Sequence, residues 1–252
     1  MDVVKPRLPS ERRFTGVSLN SSPLLRLLAG LGLAEVAPPT LSLAERWSPW
    51  LAWTDAITLS AVLGGGVPAT PVAGARPGQA AGARAVIGKF KQVRQGLAQA
   101  IGTDVLFTAG APGPPGSAAA QDAPALDETG LASLQRQYQT HQRAMDERIA
   151  PLRAQVRAAL TGQSGDLARL AALDAVLDEA LAARQRRLLA TVPGWLDKHF
   201  KRFPAAWPAA TAQLQRALLA ELDLRLQPVE GMLEALAQAA GQPAVNQANG
   251  PA

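Results

Sequence analysis

The hydrophobic positions that begin at Leu131 recur with the period of an α-helix and predict the first half of a helical hairpin that runs to Phe203. Their mean spacing is about 3.6 residues, the repeat of a straight helix. The nine core candidates are Leu131, Leu134, Tyr138, His141, Met145, Ile149, Leu152, Val156 and Leu160. Charged and amide side chains fill the other faces, so we expect one buried stripe on an amphipathic helix. Pro151 lies inside the pattern and is expected to kink the helix near Glu147.

A second stripe begins after a short turn at residues 161–165, which predicts an antiparallel partner helix. We expect Gly162 to adopt the left-handed position that ends the first helix and Ser164 to cap the second. The second stripe contains Leu167, Leu170, Leu173, Leu177, Leu181, Leu188 and Val192, widened by Val176 and Leu189. Pro193-Gly194 interrupts it, and an aromatic cluster of Trp195, Phe200, Phe203 and Trp207 follows.

The other periodic segments also have the helical repeat, so the predicted fold is all-α: an antiparallel long-helix bundle with additional N-terminal helices and two disordered linkers. Ser22-Pro23 is a helix start, and Leu214, Leu218, Leu222 and Leu226 mark a further long helix. The predicted organisation is a helical segment at 1–63, a flexible linker at 64–83, a single amphipathic helix at 84–102, a second linker at 103–130, the bundle at 131–240 and a disordered tail at 241–252.

Composition narrows the class of protein. Aromatic residues make up only 4% of the 252 residues and β-branched residues are scarce in the periodic segments, which also favours helices over strands. The chain has no cysteine, and this excludes disulfides, zinc–thiolate sites and iron–sulfur clusters. The first 16 residues show no apolar signal region, and no apolar run approaches the ~20 residues of a membrane span. We therefore expect a cytoplasmic protein without a transmembrane segment.

The net charge of +5 is unevenly distributed. Residues 130–207 hold 12 basic and 7 acidic groups, whereas residues 208–252 hold 2 basic and 4 acidic groups. We therefore expect the acidic groups of the last long helix to face the basic hairpin.

Four strings together carry a resemblance to a known family: SSPLLRLLAGL, WLAWTDAITLSA, HQRAMDERIAPLRAQVRAAL and LARLAALDAVLDEALAARQRRLLATVP. They resemble an uncharacterised bacterial family that is catalogued as a domain of unknown function. The resemblance covers most of the chain outside the linkers. It implies a gene neighbourhood with proton-channel and OmpA-like proteins, and it supplies no catalytic residues.

Few residues suggest chemistry. His141 lies on the apolar stripe, where a metal or proton-relay role competes with a packed, hydrogen-bonded histidine; the second is favoured because no other ligand stands at a recognisable spacing. His199 has the same limitation. Asp174, Asp178 and Glu179 resemble a carboxylate site, but we expect them to pair with nearby arginines. No nucleophile elbow or phosphate loop is present, so no enzyme activity, cofactor or metal is predicted.

Two surfaces are candidates for binding. The first is a basic surface formed by Arg184, Arg186, Arg187, Lys198, Lys201 and Arg202, which could contact phosphates or form a solvated helix face. The second is an apolar docking face with Trp47, Trp50 and Trp53; a buried face of the bundle is the favoured interpretation of these residues, because Glu45 and Asp55 add negative charge there. We predict a non-enzymatic helical protein that binds other proteins; the alternatives are a basic nucleic-acid-binding module and, third, a membrane-surface adaptor.

Overall fold

The computed structural model describes residues 22–34, 51–64, 77–108, 128–163, 165–203 and 209–239. Within these ranges every regular element is a helix and no strand occurs, which confirms the all-α class. The helices are α1 (Pro23–Gly30), α2 (Trp53–Leu63), α3 (Pro77–Gly102), α4 (Val105–Thr108), α5 (Glu128–Thr161), α6 (Gly165–Leu189), α7 (Val192–Arg202) and α8 (Ala210–Ala239).

Helix α5 is the centre of the bundle and contacts α3, α6, α7 and α8. All nine residues of its predicted stripe are buried, from Leu131 to Leu160, because a 3.6-residue spacing keeps them on one side of a straight helix. The helix continues through Pro151 from Glu128 to Thr161. The strict periodicity of the apolar positions therefore located the main core helix correctly.

Helix α8 packs lengthwise on α5 and α3. Its predicted stripe of Leu214, Leu218, Leu222 and Leu226 is buried. The hydrogen-bonded pairs Tyr138–Glu221 and Asp146–Arg225 both advance along the two helices, so α8 runs parallel to α5. Antiparallel α6 lies between them in the chain, which gives the up-down-up order of a bundle.

Helix α3 belongs to this core, although the sequence suggested a separate helix between two linkers. It begins at Pro77, so residues 77–83 of the predicted linker are helical. Phe90, Leu97 and Ile101 are buried against α5 and α8. The alanine- and glycine-rich start resembles a linker by composition, but the helix that follows it is fixed by packing on the core, and tertiary contacts override weak local preference.

The second predicted linker, 103–130, also contains structure at both ends. The short helix α4 follows Asp104, and α5 begins at Glu128. The inner parts of both predicted linkers, 65–76 and 109–127, lie outside the described residues, as does the predicted tail. The capping role assigned to Ser164 lies outside them as well.

Helix α6 departs most from its predicted pattern. Leu167 and Leu189 are buried, but Leu173, Leu177 and Leu181 are only half-buried and lie outside the main core. The buried face of α6 instead carries Ala171 and Asp174. Helix α6 also contacts α2, which lies outside the core of the bundle formed by α5 and α8.

The N-terminal helices pack on the bundle at separate places, α1 on α8 and α2 on α6. Helix α1 ends in a Schellman motif, in which Leu33 N–H bonds to Leu28 O and Gly32 N–H bonds to Ala29 O. Gly32 has a φ of 70° and is the glycine that takes the left-handed position among the described residues. The prediction that Gly162 does so was wrong; there, Gln163 N–H bonds to Leu160 O and closes a tighter turn.

Candidate functional site

The predicted basic surface lies on the two helices that meet at residues 190–191. Arg184, Arg186 and Arg187 occupy the C-terminal end of α6, and Lys198, Lys201 and Arg202 lie on α7; all six are exposed. Lys201 Nζ is 3.1 Å from Asp197 Oδ2, and the Arg202 guanidinium lies 5.6 Å from the centre of the Phe203 ring. Part of the positive charge of α7 is therefore engaged within the chain.

Two members of the aromatic cluster predicted near this corner, Phe200 and Phe203, contact His199. The imidazole contacts the rings of Phe200 and Phe203, with centroids 5.5 Å and 5.1 Å apart. Burial lowers the pKa of His199 and favours the neutral imidazole. Phe200 is buried and Phe203 is half-exposed, while Trp207 lies outside the described residues. These contacts make His199 a packing residue at the edge of the core.

The predicted apolar docking face is only partly described. Trp47 and Trp50 lie outside the described residues, and Trp53 starts helix α2. Trp53 is 81% exposed and Ile57, one turn later, is 53% exposed, whereas Val62 on the opposite side of α2 is buried. The favoured prediction of a buried bundle face is therefore wrong for Trp53, since the buried side of α2 is the one that carries Val62.

His141 is hydrogen-bonded to the carboxylate of Asp104, a pairing that the sequence did not predict. Its Nε2 lies 2.7 Å from Asp104 Oδ2, and Gln137 Nε2 donates to the same oxygen at 2.6 Å. The other oxygen of Asp104 accepts the Leu106 N–H at 2.9 Å and so begins α4. Burial alone raises the pKa of Asp104, but the hydrogen bonds from Gln137 and His141 outweigh it and hold the pKa below its usual value.

This arrangement docks α4 on α5. The Phe107 ring contacts the His141 ring at 5.8 Å, and Phe107 is buried. The favoured interpretation of His141 as a packed, partner-bonded histidine agrees with these contacts. Among the described residues no cluster of three or more His, Asp or Glu side chains could hold a metal ion. Asp104 could not be singled out in advance because it stood in a segment predicted to be a linker.

The carboxylates proposed on α6 pair with arginines of α5. Arg153 donates through Nε and Nη2 to Asp174, at 2.9 Å and 2.6 Å, and through Nη1 to Asp178 at 2.7 Å. Arg157 Nη1 donates to both Asp174 and Asp178 at 3.1 Å and 3.0 Å. The expected pairing with arginine is present, but it bridges two helices and buries Asp174 instead of lying on one solvated face.

A groove with a volume of about 420 Å³ runs along this pair of helices. Ala150, Ala175, Ala182 and Ala183 line it together with charged residues. The charged lining consists of Asp146, Arg153, Arg157, Asp178, Glu179, Arg186 and Arg225. The two signs occur in nearly equal number, so the groove has no strong preference for a ligand of either charge.

A buried polar network joins α5 to α8. Glu221 is fully buried and accepts hydrogen bonds from Tyr138 Oη at 2.9 Å, Gln142 Nε2 at 2.9 Å and Arg225 Nε at 2.8 Å. Arg225 also pairs with Asp146, and Gln142 Nε2 reaches Leu189 O at the end of α6. The network therefore ties three helices together inside the core.

Burial sets the ionisation of this network. Burial raises the pKa of Glu221, although Arg225 and the hydrogen bonds from Gln142 and Tyr138 act in the opposite direction. Burial, together with the Glu221 carboxylate, raises the pKa of Tyr138 well above its usual value. Sequence reasoning missed this network. The available signal was Glu221 and Arg225, four residues apart within a leucine-rich helix face.

The acidic groups of α8 do not meet the basic hairpin in the way that the charge distribution suggested. Arg94 of α3 pairs with Asp223 at 3.0 Å and with Glu230 at 3.4 Å. Burial raises the pKa of Glu230, while the neighbouring Arg94 lowers it. Asp146 and Arg225 link the hairpin to α8 by an ion pair. The expectation was wrong for Asp223 and Glu230, which pair with α3, whereas Glu221 does face α5 of the hairpin.

Comparison with other proteins identifies the family of this chain but no activity. None of the described helices combines the length and the apolarity required to cross a membrane. No curated protein and no solved structure matches the chain. One family model, described as a protein of unknown function (DUF3348), matches residues 12–213 and 204–238, which is most of the chain. The chain therefore belongs to the DUF3348 family, and the resemblance to a domain of unknown function is confirmed.

Proposed function

We propose that this protein is a non-enzymatic, cytoplasmic helical protein that binds another protein through the outer face of α2. We define the outer face as Trp53, Ile57 and Ala61, which are successive residues four apart and therefore share one side of the helix. The observation that carries the proposal is the 81% exposure of Trp53 on a helix whose other side is already packed on α6. Tryptophan is enriched among residues that dominate binding energy at protein interfaces.

The chemistry of α2 favours a protein partner over a polyanion. Asp55 is the single charged residue in the helix, and its Oδ2 accepts the Ala52 N–H at 2.9 Å. A face without cations offers nothing to phosphates, whereas an apolar helix face suits an apolar patch or groove on another protein. We therefore infer that the partner presents a weakly charged apolar surface.

The test compares two double variants of the full chain as bait. Trp53→Ser with Ile57→Ser removes the apolar face of α2. The matched control is Val105→Ser with Leu106→Ser, which removes exposed apolar side chains of α4, 74% and 40% exposed. Both variants should retain the wild-type helical circular dichroism. We expect proteins quantified by mass spectrometry to be retained by wild type and by the α4 variant, and lost from the α2 variant.

Equal retention by the α2 variant would contradict the proposal. Loss from both double variants at unchanged fold would do so too, since the binding would then follow exposed apolar area in general rather than the outer face of α2.

A nucleic-acid function is the second candidate, favoured by the exposure of the basic surface on α6 and α7. Phosphate contacts release counterions, so such binding weakens steeply with salt. A labelled polynucleotide should then bind wild type, and Arg186→Ala with Arg187→Ala should bind more weakly than the control Lys89→Ala with Lys91→Ala on α3. Salt-insensitive binding, or equal effects of the two double variants, would remove this candidate. A membrane-surface adaptor beside a proton-channel assembly is third, supported only by the gene neighbourhood that the resemblance implied.

A further inference from the structure

The groove between α5 and α6 has an ordered arrangement of charge. The ion pairs place Arg153 and Arg157 level with Asp174 and Asp178, and this sets the antiparallel register of the two helices. In that register, each residue of α5 lies at the same height as the residue of α6 whose number is about 331 minus its own. Asp146 is therefore level with residue 185 and lies next to Arg186. Along the groove, α5 is therefore acidic at one end and basic at the other, while α6 shows the opposite order.

This order of charge is self-complementary under a two-fold axis parallel to the helices. Such an axis places α5 of one copy opposite α6 of the other and keeps every residue at its own height. Arg153 and Arg157 then face Glu179 of the second copy, and Asp146 faces Arg186 of the second copy. The two-fold rotation therefore gives both the acidic and the basic end of α5 a partner of opposite charge. Because the interface is symmetric, each contact occurs twice.

Two members of the groove are available for these contacts. Glu179 and Arg186 are exposed and form no ion pair within the part of the chain that the structure describes. Arg153, by contrast, already donates three hydrogen bonds within its own chain. On the α6 side of the groove, Glu179 and Arg186 are therefore the charged side chains that can pair with a second molecule.

The lining of the groove permits close approach. Alanines line the groove on both helices, with Ala150 on α5 and Ala175, Ala182 and Ala183 on α6. Small side chains allow helix axes to come within about 8–10 Å, and the helices α5 and α6 would then be antiparallel to α6 and α5 of the second copy, as in four-helix bundles.

We propose that a second copy of this chain docks on the groove of α5 and α6, with α5 of each copy against α6 of the other. The dimer places Glu179 of each copy against Arg153 and Arg157 of its partner. This interface is separate from the outer face of α2 and is independent of the function proposed there.

Sedimentation equilibrium of the full chain tests the stoichiometry. Wild type should be dimeric at micromolar concentration. Glu179→Arg places like charges together and Ala183→Trp places a large ring in the groove, so each should weaken dimerisation at least tenfold, whereas Trp53→Ser should leave it unchanged. All three positions are exposed, so circular dichroism and thermal unfolding should match wild type. A monomer at all concentrations overturns the proposal, as does a dimer weakened by Trp53→Ser and not by the two groove variants.

Cross-linking tests the direction of the interface, because the chain has no cysteine of its own. Ala150→Cys and Ala182→Cys lie at the same height on the two helices. When the two variants are mixed and oxidised, we expect the disulfide between unlike chains to form in preference to either disulfide between like chains. Predominant linkage of two Ala150→Cys chains would place α5 against α5 and overturn the proposed geometry.

Discussion

Helix α5 packs against α8 on one side and α6 on another, and the two interfaces use charge in opposite ways. Against α8, a continuous leucine stripe encloses one fully buried carboxylate, Glu221, with its hydrogen-bond donors. Against α6, the buried residues of that helix are Leu167, Ala171, Asp174 and Leu189, and the partly exposed Arg153, Arg157 and Asp178 complete the cross-helix ion pairs around Asp174. The first interface stabilises the bundle through burial, and the second leaves an open groove and half-exposed leucines.

The difference predicts where the protein is sensitive to mutation. Burial removes water from a charge, so a buried carboxylate without its partner is costly, while the same loss near solvent is screened. Likewise, a leucine with no exposed surface leaves a cavity on truncation, whereas a half-buried leucine already contacts water.

Glu221→Ala should have the largest effect. It leaves Arg225 in the core with Asp146 as its remaining carboxylate and removes the acceptor of Tyr138 and Gln142. Breaking a buried ion pair typically costs ~3–5 kcal/mol. Urea denaturation should show this loss in the free energy of unfolding. A variant as stable as wild type would mean that the network contributes nothing to the α5–α8 interface.

Leu218→Ala and Leu177→Ala compare the two interfaces directly. Leu218 on α8 has no exposed surface, and its truncation should cost ~2–5 kcal/mol. Leu177 on α6 is half-buried and lies outside the main core, so its truncation should cost less than half as much. Both midpoints can be measured in one denaturation series. Equal losses would place the leucine face of α6 in the core after all.

Asp174→Ala should be intermediate. Three hydrogen bonds from Arg153 and Arg157 reach this carboxylate, and its side chain is 9% exposed. Hydrogen bonds to charged groups contribute about 1.5–3 kcal/mol, and the expected loss lies in that range. A double-mutant cycle with Arg153→Ala should show coupling between the two changes. Strict additivity would show that the pair has no net energetic effect.

The ionisation of Glu221 should have a smaller effect, which is a pH dependence of the free energy of unfolding. Its pKa in the folded state is raised above 4.5, so the stability that it contributes is present below about pH 4.5 and is lost as the pH rises through the folded pKa. Glu221→Gln should therefore remove a decrease in stability above pH 4.5. Denaturation midpoints of both proteins from pH 4 to pH 8 provide the measurement, and parallel curves would contradict the prediction.

Asp104 should change the free energy of unfolding in the opposite direction to Glu221 and over a lower pH range. Its folded pKa is held below 3.8, so its stabilisation is present above that value and is lost as the pH falls through the folded pKa. Asp104→Asn should flatten the acid limb below pH 3.8 and leave the slope near neutrality unchanged. If stability fell equally with pH in both proteins, the Asp104–His141 contact would not contribute to the stability of the fold.

The core of α5 and α8 could be predicted from the sequence because a regular stripe of large apolar residues has one way to be buried on a straight helix. The same reasoning failed for α6. Its leucines repeat with the same period, but Asp174 on the adjacent face pairs with arginines of α5 and turns that face inward. Periodicity identifies an amphipathic helix; it does not decide which of two neighbouring faces enters the core.

The candidate surfaces divide in the same way. The exposed basic positions on α6 and α7 followed from their place outside the stripes, and the exposure of Trp53 did not, because a tryptophan on a helix face is usually buried. That exposure results from the register in which α2 lies on α6. Asp104 was missed because its partners, Gln137 and His141, both lie more than 30 residues away from it in the chain.

The sequence by itself determined that the chain is helical, where its longest helices lie and which residues of α5 and α8 form their core, because helical period and apolar burial are local properties of the pattern. The tertiary structure decided the parallel course of α5 and α8, the packing of α3 against both of them and the buried partners of Glu221 and His141. These features depend on contacts between distant residues, and a charged residue can be buried only where the fold supplies its counter-charge and hydrogen bonds.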